Sequence, residues 1–103
     1  MGIVNAKEIL LKAVESNYAV GAFNVTSIMQ MIAVIKAAEE MKSPLIIQTS
    51  VSPANMMGPE VVASAFRTLA DKSEIPIVLH LDHCTDADFC KRCIDAGYTN
   101  IMM

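Results

Sequence analysis

Pro76-Ile77-Val78-Leu79-His80-Leu81-Asp82-His83 is a short apolar run that turns polar at its end, and Thr85-Asp86-Ala87-Asp88 follows almost at once. A bounded run of this length suits a strand covered on both faces. The second stretch is a capping pattern with an acidic first turn, opening a helix that carries Phe89, Cys93 and Ile94 until Gly97 ends it. Tyr98-Thr99-Asn100-Ile101-Met102-Met103 then begins another strand. Strand, helix and strand in such close order form a crossover unit with parallel strands and right-handed connection.

The same unit repeats upstream. Asn5 followed by Glu8 resembles a capping box, and Ile9, Leu10, Ala13 and Val14 recur at helical spacing, which predicts a helix from about Ala6 to Ser16. Tyr18 to Val25 is a nearly continuous apolar run and is expected to be a strand covered on both faces. Thr26 or Ser27 caps a helix stepping through Ile28, Met31, Ile32, Ile35 and Ala38 to Met41-Lys42, and Ser43-Pro44 stops it. Leu45 to Ser50 is the next strand, Val51 to Met57 a mobile loop over the mouth, and Gly58-Pro59 the start of a helix built on Val61, Val62, Ala65, Phe66 and Leu69. Strand starts near Tyr18, Pro44, Pro76 and Tyr98 approach the period of a (β/α)8 TIM barrel, ~250 residues shared among eight units. The fold class is therefore α/β, about four βα units forming the amino-terminal portion of such a barrel.

With 103 residues, 53% of them hydrophobic and 18% charged, the chain is built to bury surface, and disorder is excluded. Its net charge of −3 offers no general pull toward nucleic acid or an anionic membrane, so any phosphate is bound locally. No apolar run approaches the ~18 residues of a membrane span. Charge at Lys7 and Glu8 comes too early for a secretory signal, and the expected compartment is the cytoplasm. Three cysteines make an odd set, read as reduced thiols, and the eight methionines as core filling. Four parallel strands leave two open edges and an inner face made to meet other strands. The apolar ending Ile101-Met102-Met103 looks like interruption inside a strand. Residues 1–103 are thus expected to be one partial barrel domain from a longer chain, the other reading being a half-barrel that self-associates.

Chemistry in parallel sheets sits beyond the carboxyl ends of the strands. Asn24 ends the first strand, Gln48 and Ser50 the second, and His80, Asp82 and His83 the third. A neutral histidine is a good zinc ligand, and an adjacent carboxylate can serve as acid or base. The structural alternative makes Asp82 a cap for the following helix and His83 a hydrogen-bonded residue at its start. His80 shares Asp82's face, whereas His83 falls on the opposite face of a straight strand, so both reach one site only if the strand ends there.

Gly21-Ala22-Phe23-Asn24, Pro44-Leu45-Ile46-Ile47-Gln48, His80-Leu81-Asp82-His83 and Asp95-Ala96-Gly97 leading into Ile101-Met102-Met103 together resemble the start of class II, zinc-dependent ketose-bisphosphate aldolases. The correspondence covers nearly the whole chain in the right order. It implies a barrel enzyme, a lyase of carbohydrate metabolism, that reversibly cleaves a ketose 1,6-bisphosphate (fructose or tagatose) into dihydroxyacetone phosphate and glyceraldehyde 3-phosphate. By likeness, His83 matches a zinc ligand and Asp82 the acid/base that exchanges a proton with the C4 hydroxyl. Asn24 matches a residue that helps hold substrate and Ser50 one near the phosphate of the aldehyde half. The same likeness implies a homo-oligomer at full length. Zinc would supply Lewis acidity to the charge left when the carbon bond breaks.

The family commonly has glycine where this chain has Cys84, so a side chain replaces glycine's freedom at the turn and is expected to crowd the metal. Only one other histidine, His80, is present, so further ligands must come from outside the chain, which alone is expected to be inactive. Two other classes compete. Cys90-Lys91-Arg92-Cys93, with Cys84 and His83, has the makings of a Cys/His metal-binding or redox module, although the pair lies inside a helix. A noncatalytic half-barrel interaction protein would use the exposed parallel edge.

Overall fold

The computed structural model describes residues 2–103. Helix α1 (Ala6–Glu15) precedes strand β1 (Ala22–Asn24), α2 (Ile28–Met41), β2 (Leu45–Thr49), α3 (Val51–Met57), α4 (Pro59–Ala70), β3 (Ile77–Leu81), α5 (Ala87–Ala96) and β4 (Asn100–Ile101). The strands form one sheet in the order β1-β2-β3-β4, and every pair is parallel.

Helices α1, α2 and α5 start where a side chain meets their free amides. Asn5 Oδ1 accepts from Lys7 N at 3.0 Å, Ser27 Oγ from Gln30 N at 3.1 Å, and Asp86 Oδ1 from Asp88 N and Phe89 N at 2.9 and 3.3 Å. Of the two expected caps for α2, Ser27 performs the role. Thr26 instead donates its N–H and hydroxyl to Gln30 Oε1. The turn after α2 is made by Lys42 in the left-handed region, before proline forbids further helix.

Period-two alternation divides the sheet into two faces. Ile47, Leu79, Leu81, Leu45 and Ile77 are buried against Met31, Ile35, Val62 and Phe66 of α2 and α4, with Cys90 and Cys93 of α5 in the same cluster. On the opposite face Val78 and Ile46 pack against Ala6 and Ile9 of α1. The amino terminus is stitched beneath that face: Ile77 N donates to Gly2 O at 2.7 Å and Val4 N to Ile77 O at 3.0 Å. A Cβ on Gly2 would stand 2.6 Å from Ala70 O and 2.7 Å from Ile75 O, so the close approach admits only glycine.

Several expectations are corrected. The strand expected over Tyr18–Val25, covered on both faces, is only Ala22–Asn24, and all three residues are exposed. It is the edge of the sheet, and Tyr18 is held to the end of α1 through its N–H to Ala13 O at 3.0 Å. Val51–Met57 is helix α3 rather than a mobile loop. Pro53 falls in its first turn, where amides have no intrahelical partner to lose, and Ala54 is buried. The strand expected from Tyr98 is restricted to Asn100–Ile101, because Tyr98 N caps α5 by donating to Cys93 O at 3.0 Å. The strand expected over Pro76–His83 ends at Leu81.

One buried polar contact locks the sheet to α5's end. Thr49 Oγ1 and Tyr98 Oη lie 2.7 Å apart, both residues buried. Burial pushes the Tyr98 phenol up to about 12, with the Thr49 hydrogen bond opposing. Thr49→Val is expected to cost ~1–3 kcal/mol because the phenol loses its partner. Tyr98→Phe costs similarly, and the double variant less than the two together, measured by urea denaturation. Strict additivity would mean the two hydroxyls do not interact.

Candidate active site

The end of β3 is where backbone and chemistry meet. Asp82 N donates across to Thr49 O on the β2 side at 2.9 Å, and Cys84 N donates to Met102 O on the β4 side at 3.0 Å. His83, between these two clamps, takes φ +50°, a left-handed conformation that costs an L-residue ~1–2 kcal/mol. Its imidazole is thereby thrown outward with 73% of the side chain exposed, while Nδ1 lies 2.9 Å from Asp82 Oδ2. The strand does end where it must for His83 to join the face of Asp82. With Nδ1 protonated, the ring donates to the carboxylate and leaves the Nε2 lone pair free.

Asp82 keeps 23% of its side chain exposed, and its other oxygen, Oδ1, faces His80 Nε2 at 3.6 Å. The hydrogen bond from His83 holds the Asp82 carboxyl below its ordinary value, against desolvation, with the charges of His83 and His80 adding to the effect. The site therefore presents a carboxylate at neutral pH. Capping does not occupy it, because Asp86 caps α5.

Parallel register extends the site sideways. Asn24 pairs with Gln48, Gln48 with His80 and His80 with Asn100, so four polar side chains form one row on the face that carries Asp82. Gln48 Nε2 donates to Asn24 Oδ1 at 2.8 Å, and His80 Nδ1 is hydrogen-bonded to Asn100 Oδ1. Polar contacts thus run from Asn100 through His80 and Asp82 to His83.

Asn24, Ser50, Asp82 and His83 all lie at or just past strand ends on the same carboxyl side of the sheet. Asp82 and His83 touch, whereas Asn24 contacts Gln48. Ser50 stands at the N-cap of α3 without a side-chain capping bond. Gln48 and His80 were named from sequence only as polar strand ends without a role, and Asn100 was not named among them. The available signal was their position one residue before, or at, the polar end of successive parallel strands, which register turns into a row.

Cys84 is not the turn residue, since the left-handed conformation falls on His83. Its side chain is buried in the helix-side core, with Sγ donating to Asp86 O at 3.3 Å. Burial also raises the Cys90 thiol and lifts Cys93 to about 11, which disfavours the thiolates that a Cys/His metal module needs. Among the described residues no group of three or more His, Cys, Asp or Glu is arranged to hold a metal ion. None of their helices is long and apolar enough to cross a membrane.

The sequence profile of the class-II fructose-bisphosphate aldolases matches residues 4–103. The chain is 38% identical to the fructose-bisphosphate aldolase of Helicobacter pylori, covering 98% of this chain and 33% of that enzyme. It is 39% identical to that of Geobacillus stearothermophilus, covering 100% and 37%. Identity is 38% to the 6-phospho-5-dehydro-2-deoxy-D-gluconate aldolase of Halalkalibacterium halodurans, over 100% and 37%. Among solved structures, the YdjI aldolase of Escherichia coli K12 superposes with a TM-score of 0.91 at 26% identity, over 98% of this chain and 40% of that one. The chain spans about a third of the length of the curated relatives it matches, and its four parallel strands with their connecting helices have the architecture of the amino-terminal portion of a (β/α)8 barrel. With the profile match running from Val4 to Met103, the chain belongs to the class II fructose-bisphosphate aldolase family.

Proposed function

We propose that residues 1–103 form the partial barrel domain that brings the acid/base and one metal ligand to the reversible aldol cleavage of a ketose 1,6-bisphosphate, giving dihydroxyacetone phosphate and glyceraldehyde 3-phosphate. The observation that carries this is the Asp82 carboxylate, held ionised beyond the end of β3 and bonded to an outward-facing His83 at 2.9 Å. A carboxylate in that state is ready to take the C4 hydroxyl proton in cleavage and to return it to the aldehyde oxygen in condensation. His80 and His83, one on each oxygen, are positioning residues for it.

The residues present fit part of a zinc site. An imidazole bonded to a carboxylate through one nitrogen and free at the other is the arrangement of a metal-ligating histidine with its outer partner. His83 would hold the ion, and the remaining ligands would come from outside these residues. Zinc bound there supplies Lewis acidity to the negative charge that develops as the carbon bond breaks. Asn24, its Oδ1 held by Gln48, has its amide N–H groups left to donate to substrate, and the uncommitted Ser50 hydroxyl would meet the phosphate of the aldehyde half. The working compartment in this reading is the cytoplasm, the full-length enzyme is a homo-oligomer, and the 103-residue chain alone is inactive.

A chimera tests the reading. These residues replace the corresponding third of the Geobacillus stearothermophilus aldolase, and zinc content and cleavage of fructose 1,6-bisphosphate, tagatose 1,6-bisphosphate and the 6-phospho-5-dehydro-2-deoxy-gluconate substrate are measured. Zinc-dependent cleavage of at least one is expected, with the preferred sugar reporting how the combined mouth reads C4. A folded, zinc-loaded chimera that cleaves none would overturn it.

A further inference from the structure

Asp82 stands between two imidazoles of unlike freedom. The side chain of His83 is 73% exposed and that of His80 only 13%, so the fixed neighbour of the carboxylate is His80. A histidine ring has two orientations about its last side-chain bond, related by a half-turn that exchanges Nδ1 with Cδ2 and Nε2 with Cε1. The orientation present sets Nε2 toward Asp82 Oδ1, at 3.6 Å. It is selected from the other side of the ring, where Nδ1 is hydrogen-bonded to Asn100 Oδ1. An amide oxygen accepts and does not donate, so the proton of this bond belongs to His80 Nδ1. A half-turn would bring Cδ2 against that oxygen and Cε1 against the carboxylate, and both polar contacts would be lost. Asn100 is itself held in place, directly opposite His80 in the register of β3 and β4. Before it, Thr99 N donates to Leu79 O at 2.9 Å and Leu79 N to Thr99 Oγ1 at 3.1 Å; after it, Met102 N donates to Leu81 O at 2.8 Å.

We propose that Asn100 is a positioning residue for the Asp82 acid/base, acting through His80: its amide oxygen locks the imidazole in the one orientation that faces Asp82 Oδ1. This role rests on Asp82 being the acid/base of the proposed function, and it adds the residue that aims the carboxylate. Aim matters because a displacement of about 1 Å at a reacting group can cost ~10²-fold in rate. His83 cannot supply it, since its imidazole is exposed and, on the same reading, turned toward the metal. Gln48, the register neighbour of His80 on β2, gives its Nε2 to Asn24 Oδ1 at 2.8 Å, so the ring is bonded from the β4 side. The strand that carries Asn100 thereby reaches the reacting carboxylate through one side chain, without touching substrate.

The test uses the chimera at saturating zinc, with kcat, KM, zinc content and circular dichroism measured for each variant. Asn100→Leu, which fills the space but offers no acceptor, should lower kcat ~10- to 10²-fold with KM little changed. Asn100→Asp keeps an acceptor oxygen in the same place and should restore most of that rate. In a His80→Ala background, Asn100→Leu should slow the enzyme no further, because the ring it works through is gone; a merely structural role in β4 would add its cost in either background. Asn100→Ala repeats the comparison should leucine disturb the fold. Asp82→Ala, run alongside, keeps the two assignments apart. If it is slow while Asn100→Leu works at the parental rate, slows the His80→Ala enzyme just as much, or is no slower than Asn100→Asp, the role of Asn100 falls and that of Asp82 stands. A parental rate in Asp82→Ala, or a chimera that cleaves nothing, overturns the acid/base assignment and the role of Asn100 with it.

Discussion

Asp82→Ala, introduced into the chimeric aldolase, lowers the rate of aldol cleavage ~10²- to 10⁴-fold at saturating zinc while leaving substrate affinity little altered, and the loss of His83's carboxylate partner weakens zinc affinity ~10- to 100-fold. The reason is geometric. The carboxylate lies beyond β3, its backbone N–H fixed to Thr49 O and its oxygens facing two imidazoles, so it is aimed at the mouth without serving the fold. Removing it takes away the group that exchanges the C4 proton, and the substrate's other contacts remain. Asp82→Asn separates the role further: it keeps size and hydrogen bonding but takes no proton, and should be as slow as alanine. Single-turnover cleavage, with zinc measured in the same sample, is the assay. A folded Asp82→Ala chimera working at the parental rate would remove Asp82 from the reaction.

His83→Ala has a different signature. It should deplete zinc from the purified chimera and abolish activity with it, because a catalytic zinc has three protein ligands and none to spare. Excess zinc should restore part of the occupancy and of the activity, whereas Asp82→Ala stays slow at full occupancy. The left-handed backbone at this position adds a control, for His83→Gly removes the same imidazole while relieving the conformational cost. Zinc loss equal in the two variants assigns the effect to the ring rather than to a disturbed turn. Full occupancy with normal affinity in either would withdraw His83 from the ligand set.

Much of this was legible in the residues. Periodicity located α1, α2, α4 and α5 because each carries an apolar stripe, with Pro59 opening α4 and Asn5, Ser27 and Asp86 capping the others, although Asn5 accepts from Lys7 N instead of completing a capping box with Glu8. The polar ends of the apolar runs marked the carboxyl side of the sheet. Failures came where local signals depend on tertiary surroundings. Ser52, Pro53 and Asn55 read as loop, yet proline in a first turn loses no hydrogen bond and the burial of Ala54 supports α3. Tyr18 to Val25 read as buried strand because its composition matches one, whereas burial there depends on which strands lie alongside. The row through Gln48, His80 and Asn100 needed register, which no single strand's sequence contains. The need for glycine-like freedom was read at Cys84, whereas the left-handed conformation falls one position earlier at His83, because a family's glycine does not reveal which amide each neighbouring strand will hold.

Gly2 and Val4 close their hydrogen bonds on Ile77, and α1 rests on Val78, so these early residues wait for β3, some 75 residues further along. Contacts of such long sequence separation form late and slow folding. Gly2 adds a steric demand to that late step, since a Cβ there would meet the carbonyls of Ala70 and Ile75. During synthesis the apolar face of α1 stays without its partner while β1, α2, β2, α3 and α4 emerge, an interval in which nascent chains are open to chaperone capture and aggregation.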